Sequence, residues 1–221
     1  MSGWYAYSLE NMVFSHKLSI FFLPPNHIFK VIIERIDKDR QQKVINFPDL
    51  ISVLTLSRDG HKLIIGSSCY NTENTANIYI MDCTSYVVMK TLSFHTRGVQ
   101  QLTLTNDGKY LISVGNFRES TVAVWDFNSG KLLASSYTLD KINDVKVSSS
   151  VYMSDRVFEF STVGRDQVQF WALVKDFKNE YRLEYYDVFV KKLKDDPVEI
   201  TCCDYLKDRD DEYLICGLSS G

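Results

Sequence analysis

The chain has 221 residues, of which 45% are hydrophobic and 24% charged, with a formal net charge of −3. That balance excludes a disordered tail, and the weak negative charge excludes a nucleic-acid binder that works through a concentrated basic surface. No apolar run approaches the ~20 residues of a membrane-spanning helix, and the N-terminus lacks the basic and apolar blocks of a secretory signal.

From the N-terminus, Met1 to Phe14 carries Trp4, Tyr5 and Tyr7 but no turn signal. Three strands follow at Lys17–Leu23, Ile28–Ile36 and Gln41–Phe47. The turn residues Pro24-Pro25-Asn26-His27 and Asp37-Lys38-Asp39-Arg40 join them. A recurring unit begins at Ile51: a strand, the turn Ser57-Arg58-Asp59-Gly60, a second strand ending near Gly66, a polar loop, and Asn77 to Asp82. The unit returns at Val99–Asp126. There the turn is Asn106-Asp107-Gly108-Lys109, the second strand is Tyr110–Val114, and the third is Thr121–Trp125. It returns once more at Ile142–Leu173, and a fifth copy starts at Val198 and breaks off at Gly221. Gly66, Gly115 and Gly164 close the second strands at equal spacings of 49 residues, and Gly217 takes the same place in the fifth copy. The stretch Leu206–Glu212 reads as an acidic turn.

A period in this range, four strands per unit and Trp-Asp closing the third strand form a propeller pattern. Val124-Trp125-Asp126 and Phe170-Trp171-Ala172 resemble the WD-repeat β-propeller family; Ile80-Met81-Asp82 is a degenerate copy. The expected fold is therefore all-β, an incomplete WD-repeat β-propeller of about four and a half four-stranded blades. The expected boundaries are residues 15–47, 51–93, 99–137, 142–190 and 198–221. The resemblance implies that residues beyond Gly221, or a partner, close the ring.

The same resemblance implies a structural polar network within blades, with His95, Ser113 and Trp125 in one set and Thr162, Asp166 and Trp171 in another. Lys141 and Asn143 stand where the second set needs a His. No nucleophile–base–oxyanion set, phosphate-cradling loop or metal-ligand spacing is visible, so the sequence predicts no enzyme, cofactor or metal. Five scattered cysteines without a Cys-x-x-Cys spacing fit reduced thiols in the cytoplasm. The polar-aromatic loops 67–77 and 116–120 offer Tyr70, Asn71, Phe117 and Arg118 as a protein-binding patch, these being residue types that anchor interfaces.

Two longer stretches narrow the resemblance. These are the loop, Val-Ala-Val-Trp-Asp and Gly-Lys turn of the third unit, and Ser161 to Trp171. They look like the propellers of cilia- and flagella-associated WD-repeat proteins, of echinoderm-microtubule-associated-protein-like proteins and of kinase-binding WD-repeat scaffolds. The first two imply a protein-interaction scaffold on microtubules, cilium, flagellum or axoneme, with tubulin or axonemal partners. The third implies an adaptor for signalling-kinase complexes. Neither implies nucleic acid or membrane as a ligand.

Overall fold

The computed structural model describes residues 12–14, 18–22, 30–35, 42–69, 75–138, 141–150, 155–189, 198–209 and 211–219. Every regular element among them is a strand. The chain forms two compact units, Met1–Val99 and Gln100–Gly221.

In the first unit, β1 (Met12–Phe14), β2 (Leu18–Phe22), β3 (Lys30–Arg35) and β4 (Gln42–Asn46) form one antiparallel sheet in chain order. β5 (Leu50–Leu56), β6 (Lys62–Ser68), β7 (Ala76–Asp82) and β8 (Val88–His95) form the next. The first sheet thus has four strands where the turn signals marked three. Met12–Phe14 is a three-residue strand held against Ser19–Phe21, too short to announce itself by alternation. The core of this unit joins Val31, Ile33 and Phe47 to Leu54, Leu63, Ile65, Tyr79 and Met81.

In the second unit, β9 (Val99–Leu104), β10 (Tyr110–Gly115), β11 (Thr121–Asp126) and β12 (Leu132–Tyr137) form a third sheet. A fourth contains β13 (Ile142–Val147), β14 (Arg156–Gly164), β15 (Gln167–Lys175) and β16 (Tyr181–Phe189). A two-stranded sheet, β17 (Ile200–Asp208) with β18 (Asp211–Leu218), completes it. Ile112, Val114, Val122 and Val124 of the third sheet pack with Phe158, Phe160, Trp171 and Leu173 of the fourth. Val163 and Val168 of the fourth pack with Ile200 and Cys203 of the fifth.

The second strands read as unbroken apolar runs because both their faces are covered. Leu63-Ile64-Ile65 and Leu111-Ile112 are fully buried. The turns before them are built alike. Gly60 and Gly108 sit at φ +70° and +69°, where a side chain is strained. Asp59 accepts from the Ser57 hydroxyl and His61 N–H, and Asp107 from the Thr105 hydroxyl and Lys109 N–H.

Register corrects the glycine alignment. Ile51, Ile142 and Ile200 stand just before the bulges of their first strands, opposite Ser67, Gly164 and Leu218. Gly66 and Gly217 stand one residue earlier, opposite Val53 and Cys202 just past a β-bulge. A β-carbon there would lie 2.6 Å from the Val53 side chain and 2.7 Å from Cys202 Sγ. On Gly164 it would lie 2.2 Å from the Lys141 carbonyl oxygen. The equal spacing therefore joins two different positions, each closed to side chains for its own reason.

The acidic turn also contracts. β17 and β18 pair as far as Asp208 opposite Asp211, so most of the acidic residues lie on strands.

Candidate functional site

A Trp–hydroxyl pair repeats in the third and fourth sheets. Trp125 Nε1–H donates to Ser113 Oγ at 2.9 Å, and Trp171 Nε1–H donates to Thr162 Oγ1 at 2.9 Å. In both sheets the acceptor lies on the second strand, and the Trp stands opposite Leu111 or Phe160 two residues before it. The Thr162 hydroxyl continues to Gln169 Oε1 at 3.5 Å, and Gln169 Nε2–H donates to Asp187 at 2.9 Å. These bonds satisfy buried polar atoms and lock third strands to second strands, which is structural work.

Asp166 stands in the tight turn between β14 and β15. Its φ is +61°, its N–H donates to the Val198 carbonyl at 2.7 Å, and Oδ1 accepts the Val198 N–H at 2.6 Å. It ties its hairpin to the connection that enters β17. His95 is fully buried in the first unit, with its ring edge on Phe94. Ser113 and Trp125 belong to the second.

Blade two, the β5–β8 sheet, replaces the Trp–hydroxyl pair altogether. Met81 stands opposite Leu63, as Trp125 stands opposite Leu111, and Ile65 holds the acceptor position. Both Met81 and Ile65 are wholly buried, so an apolar contact replaces a hydrogen bond. A polar cluster missed in the sequence sits nearby. Asp49 Oδ2 accepts from the Tyr79 hydroxyl at 2.5 Å, from Asn77 Nδ2 at 2.9 Å and from Ser67 Oγ at 3.4 Å. Burial, with the bond to Asp49, pushes the Tyr79 phenol up to about 12.

First strands carry a second repeated device. The residues after Ile51, Val99 and Ile142 send their side chains to the carbonyls of Val99, Ile142 and Ile200, each at the start of the next first strand. Ser52 Oγ donates to the Val99 carbonyl at 2.6 Å, Gln100 Nε2 to Ile142 at 3.0 Å, and Asn143 Nδ2 to Ile200 at 2.8 Å. Ser52 and Asn143 sit at the bulges of their strands.

The expected partner surface is half described. Tyr70 and Asn71 lie outside the described residues. Phe117 and Arg118 are exposed, with Phe117 58% accessible and the Arg118 guanidinium 5.5 Å from its ring centroid. Their loop is a built turn. The Asn116 carbonyl accepts from Glu119 and Ser120 N–H, both at 2.9 Å, and Asn116 Oδ1 accepts the Arg118 N–H at 3.1 Å. Ser120 Oγ donates to the Phe117 carbonyl, and the Ser120 carbonyl receives the Thr138 N–H at 2.8 Å. An aromatic ring and a guanidinium are thus held outward on a preordered backbone, which lowers the entropic cost of engaging a partner.

No protein-family model matches the chain. It is 27% identical to WD repeat-containing protein 90 of Mus musculus over 143 residues, covering 65% of this chain and 7% of that protein. It is 25% identical to cilia- and flagella-associated protein 52 of Chlamydomonas reinhardtii, covering 97% of this chain and 33% of that protein. The chain therefore spans a third or less of these relatives' lengths. Among solved structures it superposes on a chain of the mitotic checkpoint complex with a TM-score of 0.65 at 12% identity, covering 88% of this chain and 54% of that one. The fold is that of the WD-repeat β-propellers, as the Trp-ended third strands led one to expect.

Proposed function

We propose that the chain is part of a non-catalytic protein–protein interaction scaffold of the microtubule cytoskeleton, working at a cilium, flagellum or axoneme. The observation that carries this is the Phe117–Arg118 pair, exposed on a turn fixed by five hydrogen bonds. Aromatic residues, Phe among them, and Arg are enriched at protein interfaces relative to the rest of the surface. Guanidinium groups also suit an acidic surface such as tubulin's, because they pair bidentately with carboxylates. The resemblance to a cilia- and flagella-associated WD-repeat protein along nearly the whole chain supports the location. Tyr70 and Asn71 belong to the proposal as a second contribution to the surface.

The test replaces Phe117 and Arg118 with Ala and measures co-sedimentation with microtubules or axonemes. The fold is checked by circular dichroism. Each truncation is expected to cost about 2 kcal/mol of binding. A folded double variant that sediments like the parent removes this loop from the proposal. No sedimentation of the parent moves the reading to a signalling-complex adaptor.

A further inference from the structure

β17 and β18 set two thiols face to face. Cys203 stands directly opposite Cys216 in the ladder. Residues so opposed share one face of a sheet, and both thiols pack with Ile200 against Val163 and Val168 of the fourth sheet. Cys203 is 5% accessible, Cys216 is half-buried, and both are free thiols. The Cys203 N–H donates to Asp144 Oδ2 of β13 at 3.0 Å, so it is not spent on β18. Cys203 and Cys216 therefore form a non-hydrogen-bonded pair, the type whose Cα atoms stand about 4.5 Å apart and whose side chains approach most closely. A disulfide spans Cα separations of about 4.4–6.8 Å, so the backbone already holds both residues within reach of a bond.

The repeat itself gives no reason for thiols at these two places. Counted from the bulge, Val145 and Thr162 hold them in the fourth sheet, and Leu54 and Ile65 in the second. Neither of those pairs can be cross-linked. The cysteine pair lies within a single ladder, and its geometry needs no further strand. Burial pushes the Cys203 thiol up to about 12 and raises Cys216 as well. Thiolate is the attacking species, so burial slows exchange without deciding where it ends. The pair sits at the short end of the disulfide range, and strained disulfides are the ones readily reduced again.

We propose that Cys203 and Cys216 are a reversible modification site that reacts with low-molecular-weight disulfides of the glutathione type. The thiolate of Cys216, the more accessible of the two, attacks one sulfur of glutathione disulfide. The first glutathione leaves as thiolate and takes up the proton that Cys216 lost. The Cys203 thiolate then attacks the Cys216 sulfur and expels the second glutathione, which takes up the Cys203 proton. Two protein thiols are oxidised to one disulfide, and one glutathione disulfide is reduced to two thiols. The new bond staples β17 to β18 in a sheet that the fourth sheet already holds, through Asp144 on the Cys203 N–H and the Ser161 hydroxyl on that of Tyr205. The site is independent of the Phe117 loop, so either proposal can fail alone.

The test holds the 221-residue chain in buffers of graded glutathione to glutathione disulfide ratio, quenches with acid and maps tryptic peptides by mass spectrometry. Lys207 and Arg209 lie between the two cysteines, so trypsin parts them unless they are linked. The expected result is a Cys203–Cys216 link with the loss of two hydrogens, formed without denaturant and reopened by excess reduced glutathione. Amide hydrogen exchange over β17 and β18 is expected to slow on oxidation. Cys202→Ser, at an exposed position, is expected to keep the link, and Cys216→Ser to lose it with the dichroism spectrum unchanged. A glutathione adduct on Cys202 as the sole product overturns the proposal. So does a link that requires Cys202 or denaturant, or one that excess reduced glutathione leaves closed.

Discussion

Trp171 and Thr162 are joined across two strands by a 2.9 Å bond from indole N–H to hydroxyl, at positions 2% and 1% accessible. Trp125 and Ser113 repeat the bond at the same distance. Two apolar strands can slide past each other by two residues without exposing a different face, since side-chain direction repeats every two residues. A directional bond from a large ring to a single hydroxyl does not tolerate that slip, so these pairs fix register as well as fill space.

Thr162→Val keeps the shape and removes the acceptor. The indole N–H is then buried without its partner, and urea denaturation followed by Trp fluorescence should report a loss of about 1–3 kcal/mol. Thr162→Ser should retain most of the parent's stability. A Val variant within a few tenths of a kcal/mol of the parent would show that the bond does not hold the strand.

Met81 and Ile65 form the apolar counterpart of this pair. Ile65→Ser should destabilise by about 2–4 kcal/mol, combining lost burial with an unpaired hydroxyl. Met81→Trp alone should also destabilise, through overpacking. The double variant recreates donor and acceptor, so a double-mutant cycle should give a favourable coupling of about 1 kcal/mol or more. Strict additivity would contradict the equivalence of Met81 with Trp125.

Acid should weaken the turns and the loop clamp. Hydrogen bonds from the Ser57 hydroxyl and the His61 N–H hold Asp59 below the ordinary carboxylate value. The Ser85 N–H and hydroxyl do the same for Asp82. Burial raises Glu212, but the hydroxyls of Ser148 and Ser149 and the Ser149 N–H outweigh it, and the net shift is downward. Depressed folded values mean stability that is fully present above the unfolded carboxylate range. That stability is lost as pH falls through the lower folded values. Urea midpoints should be level from about pH 7 to 5 and drop below about pH 4. Glu212→Gln should reduce the size of the drop; an unchanged acid profile in that variant would exclude the Glu212 clamp as a contributor.

The thiols should separate by reactivity. Burial pushes Cys83 up to about 11 and Cys203 up to about 12. Thiolate is the reactive species, so both should resist alkylation near pH 8 until the chain unfolds. Cys202 is exposed and should label first. Mass-spectrometric mapping of a timed iodoacetamide reaction reads the order, and early labelling of Cys203 would show that β17 opens locally.

The Asp-Gly turns and the Trp-ended third strands were legible in the sequence because their chemistry is local: each turn closes within six residues. Phe117 and Arg118 were legible as exposed for the same reason. What was hidden spans the chain. Asp49 meets Tyr79 30 residues away, and Asp166 meets Val198 32 residues away. A carboxylate pattern carries no mark of such a distant amide. The glycine alignment misled because two close approaches, on Val53 and on Lys141, both demand a missing side chain at nearly the same place. Ser52, Gln100 and Asn143 look like surface polar residues in half-exposed strands; only pairing shows that each reaches a carbonyl.

Those three side chains reach 47, 42 and 57 residues along the chain, one repeat and never two. A module whose obligations end at its immediate neighbour can be copied in tandem without rewriting the rest of the gene, since each duplicate arrives with its own donor and its own acceptor. Its donor also finds its acceptor as soon as the first strand of the following module leaves the ribosome, because the carbonyl it needs lies at the start of that strand. Lengthening by duplication and folding in the order of translation are thus two outcomes of the same short reach.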